Sequence, residues 1–383
     1  MVNRMILNET SYHGKGAIEY IVTEIQSRGF KKVLVVTDKD LVKFKVAEKV
    51  TALLDLAEIN YDIFDEVKAN PSVEVIKAGV EKFKQIGADC LVAIGGGSPI
   101  DSAKAIGIII KNPEFSDVVS LEGVAATKNK CVPIIAVATT AGTAAEVTIN
   151  YVITDEANKR KFVCVDVHDI PVVAVVDPDM MSSMPKGLTA ATGMDALTHA
   201  IEGYITKGAW ELTDALHLKA IELISRSLRL AVNNDPKGRE DMALGQYVAG
   251  MGFSNVGLGV VHGMAHPLSA YYDTPHGVAN AVLLPYVMEF NKDYTGEKYR
   301  EIARAMGVAN VDNLSPAEYR DAAVNAVKQL AKDVGIPEKL SQIGVQEKDL
   351  IALSQDAFND VCTGGNPREC SAELILQVYK NAF

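Results

Sequence analysis

The chain has 383 residues, 48% of them hydrophobic and 23% charged, which is ordinary globular usage and excludes fibrous and disordered classes. That length exceeds one ordinary core and fits two domains, each able to bury a core without disulfides. A formal net charge of −11 leaves no basic stripe to displace counterions from phosphates, so nucleic acid is excluded as a partner.

The first residues, MVNRMILNETSYHGKG, lack the apolar core of a secretory signal. No apolar run in the chain approaches the roughly 18 residues needed to span a bilayer, so no membrane association and a cytoplasmic location are expected. The five cysteines, Cys90, Cys131, Cys164, Cys362 and Cys370, form no CxxC pair and are expected as free thiols in a reducing compartment.

Between residues 31 and 177 short Val/Ile runs alternate with helical stretches. The runs are KKVLVVTD, DCLVAIGGG, VPIIAVATT and PVVAVVDPD, near-continuous in apolar residues as strands covered on both faces require. Stretches such as PSVEVIKAGVEKFKQIG supply the covers, which predicts a parallel α/β domain. VTINYVITD and KRKFVCVD flank the polar turn DEANK and predict an inserted antiparallel hairpin. After DPDMMSSMPKG strand-like runs largely disappear, and segments such as ELTDALHLKAIELISRSLRLAV have helical spacing. A boundary near Met184 follows, giving an α/β dinucleotide-binding domain over 1–184 and an all-helical metal-binding domain over 185–383.

The first motif, GGGSPID from Gly95 to Asp101, lies between a strand and the helical stretch SAKAIGIIIKN. Ser98 is expected as the helix N-cap, with Asp101 completing a capping box. Gly95, Gly96 and Gly97 let the backbone approach an anion closely and aim N–H groups at a diphosphate; the alternative is a tight strand-to-helix connection. Ile100 stands where the third glycine of GxGxxG would be, so the domain is Rossmann-like with a non-standard fingerprint. TTAGTAAE, Thr139 to Glu146, follows the next strand in the same way, at the strand ends where open parallel sheets bind ligands. Asp38 ends an earlier strand, placed either to bond an adenosine ribose or simply as a turn residue. Its charge would repel a 2′-phosphate, so NAD is expected over NADP.

The helical half opens with ATGMDALTHAIEGY, where Asp195 and His199 are four apart and share a helix face. GLGVVHGMAHPLSAYYDTPHGVAN, Gly257 to Asn280, holds His262, His266 and His276 in almost uncharged chain. Single histidines of this kind are commonly half-buried and bonded to carbonyls, but clustered with a carboxylate they point to a metal. Pro267 is expected to bias His266 away from helical geometry, and spacing leaves open whether His266 or His276 completes the shell. One carboxylate with three imidazoles suits Fe2+ or Zn2+ and not Mg2+ or Ca2+.

GGGSPID, TTAGT and the two histidine-bearing segments, in this order and spacing, resemble the iron-containing (group III) alcohol dehydrogenases along the whole chain. The resemblance implies an N-terminal α/β domain and a helical C-terminal domain with the site in the cleft between them, the two-domain plan shared with dehydroquinate synthase. It implies metal ligands at Asp195, His199, His262 and His276, leaving His266 near nicotinamide and substrate as the catalytic histidine. Dinucleotide contacts map to Asp38, Asn70, Gly97, Ser98, the loop of Thr139, Thr140, Gly142 and Thr143, Val152 and Lys161, and a homodimer is implied. MILNET, FSNVGLG and CTGGNPRE carry a narrower likeness to one member.

Asn150, Phe253, Leu258 and Cys362 flank these motifs and are candidates for lining a substrate pocket, with helix-core packing the alternative for Phe253 and Leu258. Residues 240–291 hold no Lys or Arg, which argues for a small uncharged aldehyde or alcohol and against a sugar-phosphate lyase. The function expected is a metal-dependent, NAD-linked alcohol dehydrogenase or aldehyde reductase. The alternatives are a zinc polyol dehydrogenase and a non-catalytic nucleotide- or metal-binding protein.

Overall fold

The Val/Ile runs become the centre of one sheet. The computed structural model describes residues 2–158 and 160–383. Among them the strands are β1 (Thr10–His13), β2 (Lys32–Asp38), β3 (Asn60–Val67), β4 (Cys90–Gly95), β5 (Ile134–Ala138), β6 (Asn150–Asp155), β7 (Arg160–Val165) and β8 (Val173–Val176). Six pair as a parallel sheet in the order β1-β8-β5-β4-β2-β3. The helices threaded through these strands are α1 (Tyr20–Arg28), α2 (Lys39–Lys43), α3 (Glu48–Leu56), α4 (Val73–Ile86), α5 (Gly97–Lys111) and α6 (Pro178–Met181).

Strand period 2 sorts the runs into two cores. Val33, Val35, Val92, Ile94, Ile135, Val137, Val173 and Val175 face one side with Ile21 and Ile25 of α1, Val50 and Leu54 of α3 and Met180 of α6. Leu34, Val36, Leu91, Ala93, Ile134 and Ala136 face the other with Ile76, Val80 and Phe83 of α4 and Ile100 and Ile106 of α5. Both faces are covered, which is why these runs do not alternate with polar residues.

β6 and β7 form the expected antiparallel hairpin, paired from Asn150 with Val165 to Asp155 with Arg160. It lays Tyr151, Ile153, Phe162 and Cys164 on the α4/α5 core. The two edge strands were not legible. β3, NYDIFDEV, carries acidic and polar residues along an exposed edge, and β1 spans only four residues, TSYH. The helix start after β4 also differs from expectation. α5 begins at Gly97 with Gly96 as N-cap and no side-chain cap, so Ser98 lies inside the first turn. Asp101 closes no capping box; it accepts from the Val152 amide at 3.1 Å, tying the hairpin to α5.

The chain divides into two compact units, one running to Thr140 and resuming over Ala144–Ser183, the other comprising Ala141–Thr143 and Met184–Phe383. The second is helical: α7 (Lys186–Ile205), α8 (Glu211–Val232), α9 (Pro236–Val256), α10 (Val260–Tyr272), α11 (His276–Asn291), α12 (Lys298–Ala305), α13 (Pro316–Asp333), α14 (Leu350–Asn359) and α15 (Ala372–Ala382). Pro267 does not turn His266 out of the helix: α10 continues through it to Tyr272. A proline costs the helix the bond its own N–H would make to Gly263 and crowds that carbonyl, and the buried packing of α10 outweighs both.

His217 of α8 is fully buried between Gly203 of α7 and Gly252 of α9, and a Cβ at either glycine would collide with its ring. Gly252→Ala should cost about 1–3 kcal/mol by overpacking, read as a lower denaturant midpoint. Neither ring nitrogen of His217 has a hydrogen-bond partner among the described residues. Burial pushes the imidazole down to about 3 from its ordinary 6.5, with Lys298 and His199 adding to the effect. Between those values the unfolded chain takes up a proton that the folded chain refuses. Stability should therefore fall as pH drops below about 6.5, by about 1.4 kcal/mol per pH unit from this residue. Denaturation midpoints at mildly acidic pH, compared with His217→Gln, measure that share; identical slopes would refute it.

Candidate active site

Helix α7 is buried along nearly its whole length, so the polar groups it carries must be paired or bound. Asp195 is 2% exposed, and its Oδ1 lies 4.0 Å from Nε2 of His262 on α10 and 3.8 Å from Nε2 of His276, the first residue of α11. Donor atoms of Asp195, His262 and His276 all fall within 4.8 Å of one another. A cation bonded at about 2.0–2.2 Å to each would bridge that spacing. The close approach of α11 to α7 depends on Gly277, where a Cβ would lie 2.6 Å from the Ala191 carbonyl oxygen.

His199, the other expected ligand, lies beside this group without joining it. Its ring stacks on His262 at 4.5 Å and on Phe253 of α9 at 4.2 Å. Its Nδ1 is buried with no hydrogen-bond partner among the described residues, an orphaned donor atom next to the cluster. Burial drives the imidazoles of His262 and His199 below their ordinary value, His262 well below, so both are neutral as metal ligands must be. The donor set and its protonation fit a divalent iron or zinc ion.

Two further side chains fix these ligands. Glu202 on α7 meets His262 Nδ1 at 2.6 Å, and the Val261 amide donates to its Oε1 at 2.6 Å. A bond from Nδ1–H to the carboxylate selects the tautomer whose lone pair is on Nε2, on the Asp195 side. Burial pushes the Glu202 carboxyl up to about 8 against the amides of Val261, His262 and Gly259, and the charge of a bound cation would favour the ionised form that accepts from Nδ1–H. Asn280, one turn after His276, donates its amide to Asp195 Oδ1 at 2.7 Å and lies 3.0 Å from His276 Nε2.

His266 is separate from that group. Its ring stacks on His276 at 5.3 Å, and its Nδ1 lies 2.7 Å from Asp360 Oδ2, just past α14. The Cys362 amide donates to the other carboxylate oxygen at 2.8 Å. Burial alone would raise the Asp360 carboxyl, but the charge and hydrogen bond of His266 outweigh it and hold it below the usual range. Burial pushes the Cys362 thiol well up, so it is a protonated thiol and not a thiolate. Leu258 is buried, and its carbonyl accepts from the Thr206 hydroxyl at 3.0 Å.

In the first unit the β4–α5 turn is tightly built. A Cβ at Gly96 would lie 3.0 Å from Thr140, and the Thr139 amide donates to the Gly95 carbonyl at 2.9 Å. With no side chain capping α5, its first amides remain available to an anion. Lys161 donates to Asn70 at 2.8 Å, and Asn70 takes a left-handed φ of 60°. Asp38 caps α2 through the Leu41 amide at 2.8 Å, and burial raises its carboxyl. Buried Lys104 donates to the Thr148 and Asn150 carbonyls at 2.6 and 2.8 Å; with Asp101 it fixes the hairpin that carries Asn150 and Val152. Gly142 and Thr143 belong to the second unit, where a Cβ at Gly142 would lie 2.7 Å from Thr192 Cβ.

The profile described as iron-containing alcohol dehydrogenase matches residues 8–178, and that of the C-terminal part of the Fe-containing alcohol dehydrogenase family matches 189–383. The chain belongs to the iron-containing alcohol dehydrogenase family. Lactaldehyde reductase of Escherichia coli (strain K12) is 62% identical over 383 residues, all of both chains. The 1,3-propanediol dehydrogenase of Klebsiella pneumoniae is 41% identical over 382 residues, 99% of this chain and 98% of that one. A crystal structure of 1,3-propanediol oxidoreductase superimposes with a TM-score of 0.97 at 41% identity, covering 100% of each chain.

The membership makes this an oxidoreductase of small alcohols and aldehydes that uses NAD and iron. Among the described residues no helix is long and apolar enough to cross a membrane. The dehydrogenase also contains residues that motif reading missed. Glu202 was visible as a carboxylate within the buried segment HAIEGY, and Asn280 as the fourth residue after His276. Lys104 stood out only as a cation inside the apolar run SAKAIGIII. For Asp360 there was no signal, because its partner is 94 residues away.

Proposed function

We propose that this iron-containing alcohol dehydrogenase interconverts lactaldehyde and 1,2-propanediol with NAD(H). The observation that carries the chemistry is the cluster of buried Asp195 and His262 with half-buried His276, and with His262 oriented by Glu202. The full-length identity of 62% to a lactaldehyde reductase carries the substrate, together with MILNET, FSNVGLG and CTGGNPRE. Asp195, His199, His262 and His276 would hold Fe2+, with Zn2+ compatible with the same donors. When bound, iron would supply Lewis acidity, so that alcohol and aldehyde could interconvert without a strong protein base.

The residues do the rest. Residues 1–184 bind the dinucleotide: Gly96, Gly97 and Ser98 present the α5 amides to the diphosphate, while Thr139, Thr140, Gly142 and Thr143 form the neighbouring loop. Asp38 takes the ribose hydroxyls, and Asn70, Val152 and Lys161 complete the contacts. Residues 185–383 hold the metal. His266 exchanges the proton, and Phe253, Leu258 and Cys362 exclude water around a small uncharged substrate. The enzyme acts as a cytoplasmic homodimer.

Iron-loaded protein prepared without oxygen should oxidise NADH with lactaldehyde and do so less efficiently with dihydroxyacetone as the polyol-dehydrogenase comparison. Failure to consume NADH with lactaldehyde overturns the assignment. Asp38→Gly should relax discrimination against NADPH, since the charge it removes would cost a 2′-phosphate on the order of 1–4 kcal/mol at 4 Å. An unchanged NADH to NADPH ratio would leave Asp38 only its cap on α2.

A further inference from the structure

His266 stacks on His276 and meets His262 edge-on at 6.2 Å, so its ring lies against the metal cluster without entering it. A lone imidazole in such a place has two tautomers and two ring orientations, and only some of these offer a lone pair in a useful direction. Asp360 removes that freedom. Its Oδ2 takes Nδ1 at 2.7 Å, its Oδ1 is held by the Cys362 amide at 2.8 Å, and the Asp360 carbonyl accepts from the Thr363 amide at 3.1 Å. The Thr363 hydroxyl in turn donates to the Ala357 carbonyl at 2.6 Å, anchoring the segment to the end of α14. Both His266 and Asp360 side chains are largely shielded, at 15% and 14% exposure, so water competes weakly for the bond.

We propose that Asp360 is a positioning residue for the reaction: it holds His266 in the Nδ1–H tautomer and leaves Nε2 as the one ring nitrogen free to exchange a hydrogen bond or proton. The inference rests on the reading that His266 serves the reacting atoms. It gives the segment DVCTGG a task, because the turn after α14 is what aims the carboxylate. An amide in place of that carboxylate keeps the shape but presents NH2 as readily as oxygen and carries no charge, so it no longer enforces one tautomer.

The test uses metal-loaded holoenzyme with Asp360→Asn, Asp360→Glu, His266→Ala and the double variant Asp360→Asn/His266→Ala. Metal content and the KM for NADH should match the parent in all four. The kcat of Asp360→Asn should fall about 10–100-fold, the range for losing a carboxylate behind a working histidine, and Asp360→Glu should recover part of it. The double variant should be no slower than His266→Ala, since a residue acting only through His266 has nothing left to act on. An unchanged kcat in Asp360→Asn overturns the inference. So does an equal further loss in the His266→Ala background, which would mark a merely structural role. A second metal equivalent lost with Asp360→Asn would instead assign His266, Asp360 and Cys362 to a cation. Full activity of metal-bound His266→Ala would remove the catalytic reading of His266 itself, and the inference would fall with it, distinguishably from the other outcomes.

Discussion

His262→Ala should remove bound metal and turnover together. His262 is the member of the cluster tied on both sides, through Nε2 toward Asp195 and through Nδ1 to Glu202. Truncating it deletes one donor and leaves the Glu202 carboxylate with no imidazole to bond. Elemental analysis should find metal well below one ion per chain. NADH oxidation should fall by roughly a thousandfold or more, because the Lewis acid is worth several kcal/mol and each 1.36 kcal/mol is tenfold. A metal-free His262→Ala protein with parental turnover would end the metal reading.

Glu202→Ala should weaken metal binding by about 10–100-fold while every direct ligand stays in place. The carboxylate does two jobs at once. It fixes the His262 tautomer, and it accepts the amides of Val261 and His262 at 2.6 and 3.4 Å as α10 begins. Its loss leaves those buried donors without an acceptor, at about 1–3 kcal/mol for each unsatisfied group. The variant should therefore show a higher metal Kd by chelator competition and a lower denaturation midpoint. Glu202→Gln should fall between it and the parent. Parental metal affinity in Glu202→Ala would show that α10 alone orients His262.

What could be read from the sequence was local or periodic. Val33 to Val36, Leu91 to Ile94 and Ile134 to Val137 announced central strands because both their faces needed covering. The i,i+4 pair of Asp195 and His199 announced a helix face because one turn of helix is enough to define it. Relations between distant segments were not legible. Nothing in HAIEGY says that Glu202 faces a histidine 60 residues on, and nothing in GLGVVHGMAHP says that packing holds α10 straight through Pro267. β3 escaped because an edge strand is free to be acidic, and Ser98 misled because a good capping residue need not be used when Gly96 can begin the helix without one.

The cluster draws its donors from α7, α10 and α11, so a bound ion would add a tie to the Glu202 and Asn280 hydrogen bonds that already join these helices. An ion that binds this arrangement and not the unfolded chain stabilises the fold by mass action, by about 2.7 kcal/mol when free metal stands a hundredfold above its Kd. The same stabilisation is withdrawn when metal is scarce. A change of that size alters the steady-state unfolded fraction on which proteases act. Metal supply would then set how many copies of the enzyme survive as well as how fast each one turns over, and scarcity would clear the protein instead of leaving a pool of inert chains.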